Sequence, residues 1–311
     1  MNGSNQARPK AVVFGYGDVG VRCTRVLLAG GIDVALVVTH RDNPTETIWF
    51  DSLAGLAAEE GLPAITPEDP KDPELHARVA AAAPDFIFSF YYRHMIPVDV
   101  LALARQGAFN MHGSLLPAFR GRAPVNWAVL KGATVSGASL HEMVAKPDAG
   151  AIVGQTAVPI LPDDTAHDLF RKVAVAAELT LWNALPGLID GSAPRLPNDL
   201  SRGSYFGARR PEDGRIDFTR PAQEVYNLIR AVAPPFPGAF FELHGERTII
   251  AAARLAPGPA RPDLAPGITV ADNQILAICG DGRAVLVKRL VRGSDGTAID
   301  AATLAHLLAR P

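Results

Sequence analysis

The densest polar run in the chain is Asn110-Met111-His112-Gly113-Ser114-Leu115-Leu116-Pro117, followed by Arg120-Gly121-Arg122-Ala123-Pro124. The apolar approach Ala108-Phe109 puts this run at the end of a strand, where ligands bind in open α/β sheets. Asn110 and His112 stand two apart, and in an extended segment side chains at i and i+2 share a face. One surface then offers an amide N–H donor beside an imidazole, a pair suited to stabilising an oxyanion and moving a proton. Glycine and proline directly after the pair, with two arginines in the loop, point to a site rather than to one hydrogen-bonded structural histidine. A second group lies in His141-Glu142-Met143-Val144-Ala145-Lys146-Pro147-Asp148-Ala149-Gly150. Asp148 before Ala-Gly is a turn former. Beside an imidazole its carboxylate would orient the ring and favour the protonated form. His141 is expected to be a strand residue without a chemical role. His40, His94 and His167 are scattered in no metal-ligand spacing, so no metal is expected.

A competing motif sits near the start. Gly15, Gly17 and Gly20 in GYGDVG have the G-x-G-x-x-G spacing after a strand and before a helix. Asp42 follows at about the 20-residue distance of a ribose-binding acid. Alone, this fits an NAD-dependent oxidoreductase. It fits equally a tight βα turn in which glycines let helix and strand approach, since fold does not fix function. Asp42 lies in the loop-like HRDNP, away from the tip of the second strand.

These residues need a scaffold. The 311 residues suggest two domains. With 48% hydrophobic and 20% charged residues, disorder is excluded as the dominant state. Thirty basic against 32 acidic residues give a net charge of −2, without the basic excess of a protein that neutralises many phosphates, so no nucleic-acid partner is expected. Cys23 and Cys279 are far apart, which argues against a disulfide framework and for a reducing cytoplasm. The polar start MNGSNQARPK has no apolar signal core. No apolar run approaches the ~20 residues of a membrane helix, so no membrane insertion is expected. The run from Val173 to Ile189 reads as a buried or amphipathic helix.

Strand signals at Lys10–Gly15, Asp33–His40, Asp85–Tyr92 and Gly107–Met111 alternate with helical stretches at Val19–Ala29, Ser52–Gly61 and Asp72–Ala83. That alternation predicts an α/β fold with a doubly wound, mostly parallel, Rossmann-like sheet. A strand over Gly137–Val144 and a helix over Thr165–Leu188 complete it. The Pro/Gly/Ser-rich stretch Asp190–Ser204 reads as a linker, dividing a catalytic domain (1–203) from a C-terminal domain (204–311). The latter has a helix from Pro221, strands at AFFEL, RTIIAA, ILAIC and AVLVKRLV, a hairpin turn at Asp281-Gly282 and a closing helix over Asp300–Leu308. So many short strands predict a small, OB-like β-barrel.

FNMHGSLLP, RGRAPVNW and the downstream Asp148 resemble the folate-dependent formyltransferase family, whose signature is Asn-x-His, SLLP, RG and a distant Asp-x-Gly. SFYYRHMI (Ser89–Ile96), THRDNP, GRIDF and PFPGAF extend the likeness over nearly the whole chain. In detail the chain is most similar to the branch that formylates UDP-4-amino-4-deoxy-L-arabinose for lipid A. The decarboxylase fused to that enzyme is not in this chain, which implies a separate decarboxylase acting earlier in the pathway. The resemblance further implies 10-formyltetrahydrofolate as co-substrate, a nucleotide-sugar acceptor, and Asn110, His112 and Asp148 as the catalytic group. Folate contacts are implied at His94, Met95 and Ile96, at Arg122, and along Val144, Ala145, Lys146, Pro147 and Asp148. Protonated His112 and Asn110 would stabilise the oxyanion. GYGDVG becomes a structural turn. A methionyl-tRNA formyltransferase would share fold, folate and catalytic group. This chain reads RGRAP where the tRNA enzymes usually read RGAAP, so Arg122 favours a nucleotide sugar. Arg93, Arg209 and Arg210 are candidates to meet a pyrophosphate.

Overall fold

The computed structural model describes residues 8–44, 46–260 and 263–309. Most of the polar start and positions 261–262 of the Pro-rich loop lie outside the described residues.

The first elements are β1 (Lys10–Gly15), α1 (Gly17–Ala29), β2 (Asp33–Val38), α2 (Leu53–Glu59), β3 (Ala64–Ile65), α3 (Pro73–Ala82), β4 (Phe86–Phe90), α4 (Val98–Leu101) and β5 (Gly107–His112). Local chemistry sets their ends. Ser52 Oγ accepts from Gly55 N–H at 3.1 Å to start α2. Asp72 Oδ1 accepts from Glu74 N–H at 2.9 Å to start α3, with Pro73 in its first turn. Ala83 ends that helix in the left-handed region before Pro84. Next come β6 (Arg120–Gly121), α5 (Pro124–Leu130), β7 (Val135–Glu142), β8 (Ile152–Pro159) and the long α6 (Ala166–Asp190).

The main sheet runs β3-β2-β1-β4-β5-β7-β8. Its strands from β3 to β5 are parallel, and β7 returns antiparallel to β5. Every residue of β4 is buried, as a central parallel strand requires. Alternate residues Val12, Phe14, Leu36, Val38 and Ile87 pack with Leu75 and Val79 of α3 and Val100 of α4. The sheet order reverses at β1/β4, and β5 lies next to β4, so the carboxyl end of β5 opens close to that switch point.

The remaining elements are β9 (Tyr205–Phe206), α7 (Ala222–Val232), β10 (Ala239–Leu243), β11 (Glu246–Leu255), β12 (Gly267–Ala271), β13 (Gln274–Ile278), β14 (Ala284–Arg292) and α8 (Ala301–Leu308). β10-β11-β14-β13-β12 form an antiparallel sheet curled into a half-barrel. Register shifts between β11 and β14 near Ala252 supply bends of the kind that curl a sheet. The turn between β13 and β14 falls at Asp281-Gly282, with Gly282 at φ 72° and its N–H bonded to the Cys279 carbonyl at 2.8 Å.

The chain forms two compact units: 1–121, 136–158 and 171–205, and then 122–135, 159–170 and 206–311. Two early stretches, 122–135 and 159–170, belong to the second unit. Nor is 190–204 a free linker. Leu196 exchanges backbone hydrogen bonds with Ile152 at 2.8 and 2.9 Å, and Arg195 Nε donates to Glu142 Oε1 at 2.5 Å. Composition signalled irregular backbone here, but the segment finds its partners along β8 and β7.

Gly137 in β7 lies where a Cβ would sit 2.1 Å from the Thr156 carbonyl oxygen. Gly137→Ala should therefore lower stability by about 1–3 kcal/mol, measured by urea unfolding. An unchanged midpoint would show that β7 and β8 are not this close.

Candidate active site

Strand pairing assembles the site. β5 and β7 place Asn110 directly opposite His141, and His112 opposite Ser139. Asn110 Nδ2 donates to His141 Nε2 at 3.0 Å, and His141 Nδ1 donates to the Glu142 carbonyl at 2.8 Å. Asp148, from the turn between β7 and β8, brings Oδ1 to 3.5 Å from His112 Nδ1 and 3.6 Å from His141 Nε2. Its Oδ2 accepts from Gly121 N–H at 2.8 Å. The turn itself is constrained. Asp148 has φ 50°, in the left-handed region that Asp tolerates. A Cβ on Gly150 would lie 2.0 Å from the Glu142 carbonyl oxygen. Asn198 Nδ2 donates to the carbonyls of Asp148 and Gly150 at 3.0 and 3.1 Å.

The loop after β5 is held as firmly. Ser139 Oγ donates to the Ser114 carbonyl at 2.6 Å and accepts from Leu116 N–H at 3.0 Å. Gln155 Nε2 donates to the Leu116 carbonyl at 3.0 Å. Phe119 N–H donates to Ser204 Oγ at 2.9 Å, and its carbonyl accepts from His112 Nε2 at 2.9 Å.

Burial and these bonds set the charges. Burial, the largest influence, pushes the His112 pKa down; Asp148 and the Phe119 carbonyl oppose it and His141 adds to it, and the net direction is downward. The resting imidazole is neutral, which corrects the expectation of a protonated His112. Burial alone would raise Asp148, but the neighbouring imidazoles of His141 and His112 and the Gly121 N–H outweigh it and hold the carboxyl at about 2. In the neutral ring, Nε2–H serves the Phe119 carbonyl and the Nδ1 lone pair faces Asp148. A proton arriving at Nδ1 therefore meets a carboxylate.

A family model for "Formyl transferase" matches residues 10–185, and one for "Formyl transferase, C-terminal domain" matches residues 209–306. The chain belongs to the formyl transferase family. The chain is a formyltransferase enzyme. Its fold recurs in the N-formyltransferase from Helicobacter canadensis solved with folinic acid and dTDP-3-aminofucose, at 19% identity and TM-score 0.69 over 90% of this chain and 98% of that one. WlaRD, a sugar 3N-formyl transferase solved with dTDP and 5-N-formyl-THF, gives 20% identity and TM-score 0.70 over 89% and 96%. Glycinamide ribonucleotide transformylase 1 from Symbiobacterium toebii gives 25% and 0.53 over 61% and 92%.

In this formyltransferase the glycine-rich turn serves packing. A Cβ on Gly15 would meet Leu53 at 2.8 Å and the Gly20 Cα at 3.5 Å. A Cβ on Gly17, itself at φ 61°, would meet Phe50 at 3.4 Å. Asp18 Oδ1 accepts from Asp51 N–H at 2.6 Å. The chain's own residues 50–53 thus cover the start of α1, where a pyrophosphate would sit. Asp42, the candidate ribose ligand, accepts from the Tyr16 hydroxyl at 2.6 Å. The family match and this packing together overturn the oxidoreductase alternative.

The expected folate residues divide. Val144, Ala145 and Lys146 are exposed just after β7, and Pro147 is half-buried beside Asp148. Met95 is exposed, His94 meets the rings of His40 and Tyr92, and Ile96 is buried in the core beneath α3 and α4, which leaves chiefly its backbone to a ligand. Arg122 opens a stretch of the second unit, and its N–H donates to the Phe206 carbonyl at 2.9 Å. His141, expected to be only structural, touches both Asn110 and Asp148. Its signal was present: Ser139-Leu140-His141 has the same two-residue alternation as Asn110-Met111-His112.

The depressed Asp148 pKa predicts acid behaviour. The folded carboxyl holds its proton less tightly than the unfolded one. It therefore contributes about 2 kcal/mol that is fully present above about pH 4 and is lost as pH falls towards 2. Melting temperatures between those pH values should fall less steeply in Asp148→Asn, and equal slopes would show that this carboxylate is not held down. His141→Gln should move the loss to higher pH.

Proposed function

We propose that this formyltransferase moves the formyl group of 10-formyltetrahydrofolate onto the 4-amino group of UDP-4-amino-4-deoxy-L-arabinose in lipid A modification, with a separate decarboxylase acting earlier on the sugar. The observation that carries the chemistry is that His112 and His141 both meet the part-buried Asp148 carboxylate while Asn110 is bonded to His141. For the donor and acceptor classes, support comes from the Helicobacter canadensis enzyme with folinic acid and an amino-sugar nucleotide, and from WlaRD with dTDP and 5-N-formyl-THF. The RGRAP sequence around Arg122 supports a nucleotide sugar over a tRNA. Cys23 and Cys279, both buried free thiols, fit a reducing cytoplasm.

In this reading the acceptor enters as its free amine and forms a C–N bond to the formyl carbon. One Asn110 N–H is engaged by His141, and the other stabilises the oxyanion. Neutral His112 takes the amine proton and becomes an imidazolium held by Asp148 and the Phe119 carbonyl. It then gives that proton to the folate nitrogen as the old C–N bond breaks. Asp148 orients and stabilises the ring. The folate would lie along His94–Ile96 and Val144–Asp148, with Arg122 as a further contact.

Asn110→Ala, His112→Ala and Asp148→Ala should each fold and lose turnover. For Asn110 the loss should be about 3–4 kcal/mol of transition-state stabilisation, the usual cost of one oxyanion donor. Near-normal activity in any of the three would remove its assigned role. Purified protein should be assayed with 10-formyltetrahydrofolate against UDP- and dTDP-linked amino sugars and charged initiator tRNA. Formylation of the UDP-4-amino sugar is expected. Formylation of the tRNA and no sugar would overturn the acceptor assignment.

A further inference from the structure

α6 is apolar on two sides. Val173, Ala177, Leu181, Leu185 and Leu188 are buried in the first unit. On the opposite side Val175, Leu179, Trp182, Pro186 and Ile189 are exposed, Leu179 by 46% and Trp182 by 53%. Their spacing of four, three, four and three is that of a coiled-coil seam. A helix on the surface of a monomer turns a polar side to water, whereas a helix that is apolar all round is covered on both sides. Beside Trp182 lies a groove of about 310 Å³ walled by Arg22, Arg25, Val26, Ala29 and Asp51, rimmed by the Arg22–Glu178 ion pair at 2.5 Å.

We propose that this seam docks a second copy of the chain, the two α6 helices packing antiparallel about a twofold axis. A twofold interface must be self-complementary, and this seam is so only when antiparallel. Leu179 then faces the partner subunit's Trp182, Val175 faces the partner subunit's Pro186, and the stem of Lys172 lies by the partner subunit's Ile189. Arg171 comes level with the partner subunit's Asp190. The basic pair Arg171 and Lys172, in the second turn of each helix, thereby meets the acidic, carbonyl-rich end of the other, and the helix dipoles oppose. A parallel pair would set Arg171 and Lys172 against their own copies and Asp190 against Asp190.

Sedimentation velocity of the full chain across the micromolar range should show a concentration-dependent dimer. Leu179→Glu with Trp182→Glu should weaken it more than about tenfold. Both side chains are exposed, so the circular dichroism spectrum should not change. Arg171→Asp is a milder probe: it should weaken the dimer, and adding Asp190→Arg should restore it. Leu179→Cys with Trp182→Cys should close to a covalent dimer under oxidised glutathione, whereas Leu179→Cys alone should not. Cys23 and Cys279 are buried and give little background. A monomer at every concentration, or a dimer that survives the double glutamate change, overturns the proposal. Capture by Leu179→Cys alone overturns the antiparallel pairing.

Discussion

The Asp148 side chain is 12% exposed, and a carboxylate so far out of water stays ionised only when donors replace its lost hydration. The groups that surround it, one N–H donor and two imidazoles, come from separate parts of the first unit. The donating Gly121 N–H belongs to β6, and the imidazoles of His112 and His141 belong to β5 and β7. The antiparallel register of β5 and β7 sets the two imidazoles diagonally across the strand pair, 6.5 Å apart, and the turn before Gly150 brings the carboxylate to them. Asn198, from the segment after α6, then fixes the backbone of that turn. The order of the site is thus an electrostatic requirement as much as a packing result. Withdrawing the Gly121 N–H leaves a largely buried charge short of solvation.

That same burial decides the protonation pattern. A nearby carboxylate alone would favour an imidazolium at His112, but loss of water is the larger influence and the ring rests neutral. A neutral base beside a fixed anion is ready to receive a proton and hold it briefly, which suits a transfer that both removes and returns one. Asn110 gains its orientation from His141 in the same way, through a bond already made before any ligand arrives.

Glycine spacing carried two meanings, and packing chose between them. Gly15 and Gly20 leave room for Leu53 and the neighbouring backbone where a Cβ would sit, and Gly17 takes a positive φ beside Phe50. The space such glycines leave for a pyrophosphate elsewhere is filled here by the chain itself. α6 shows the converse. Its periodicity read as a buried or amphipathic helix, yet its second apolar stripe faces outward.

Alternating hydrophobic runs, helix caps and turn residues were legible in the linear order, because each depends on neighbours within a few residues. β1, α2, α3, β4 and the Asp281-Gly282 turn lie where those local signals put them. That Asn110 and His112 lie on one face of β5 follows from the two-residue period of a strand. The strand GITVA at β12 carried too little local signal beside its Pro-rich approach. Long-range facts were decided only by the fold: that His141 stands opposite Asn110, that Asp148 reaches both imidazoles, that 190–204 is bonded along β8, and that 122–135 and 159–170 join the second unit. Strand register, desolvation and the meeting of distant segments depend on the packed chain as a whole, and no stretch of sequence specifies them alone.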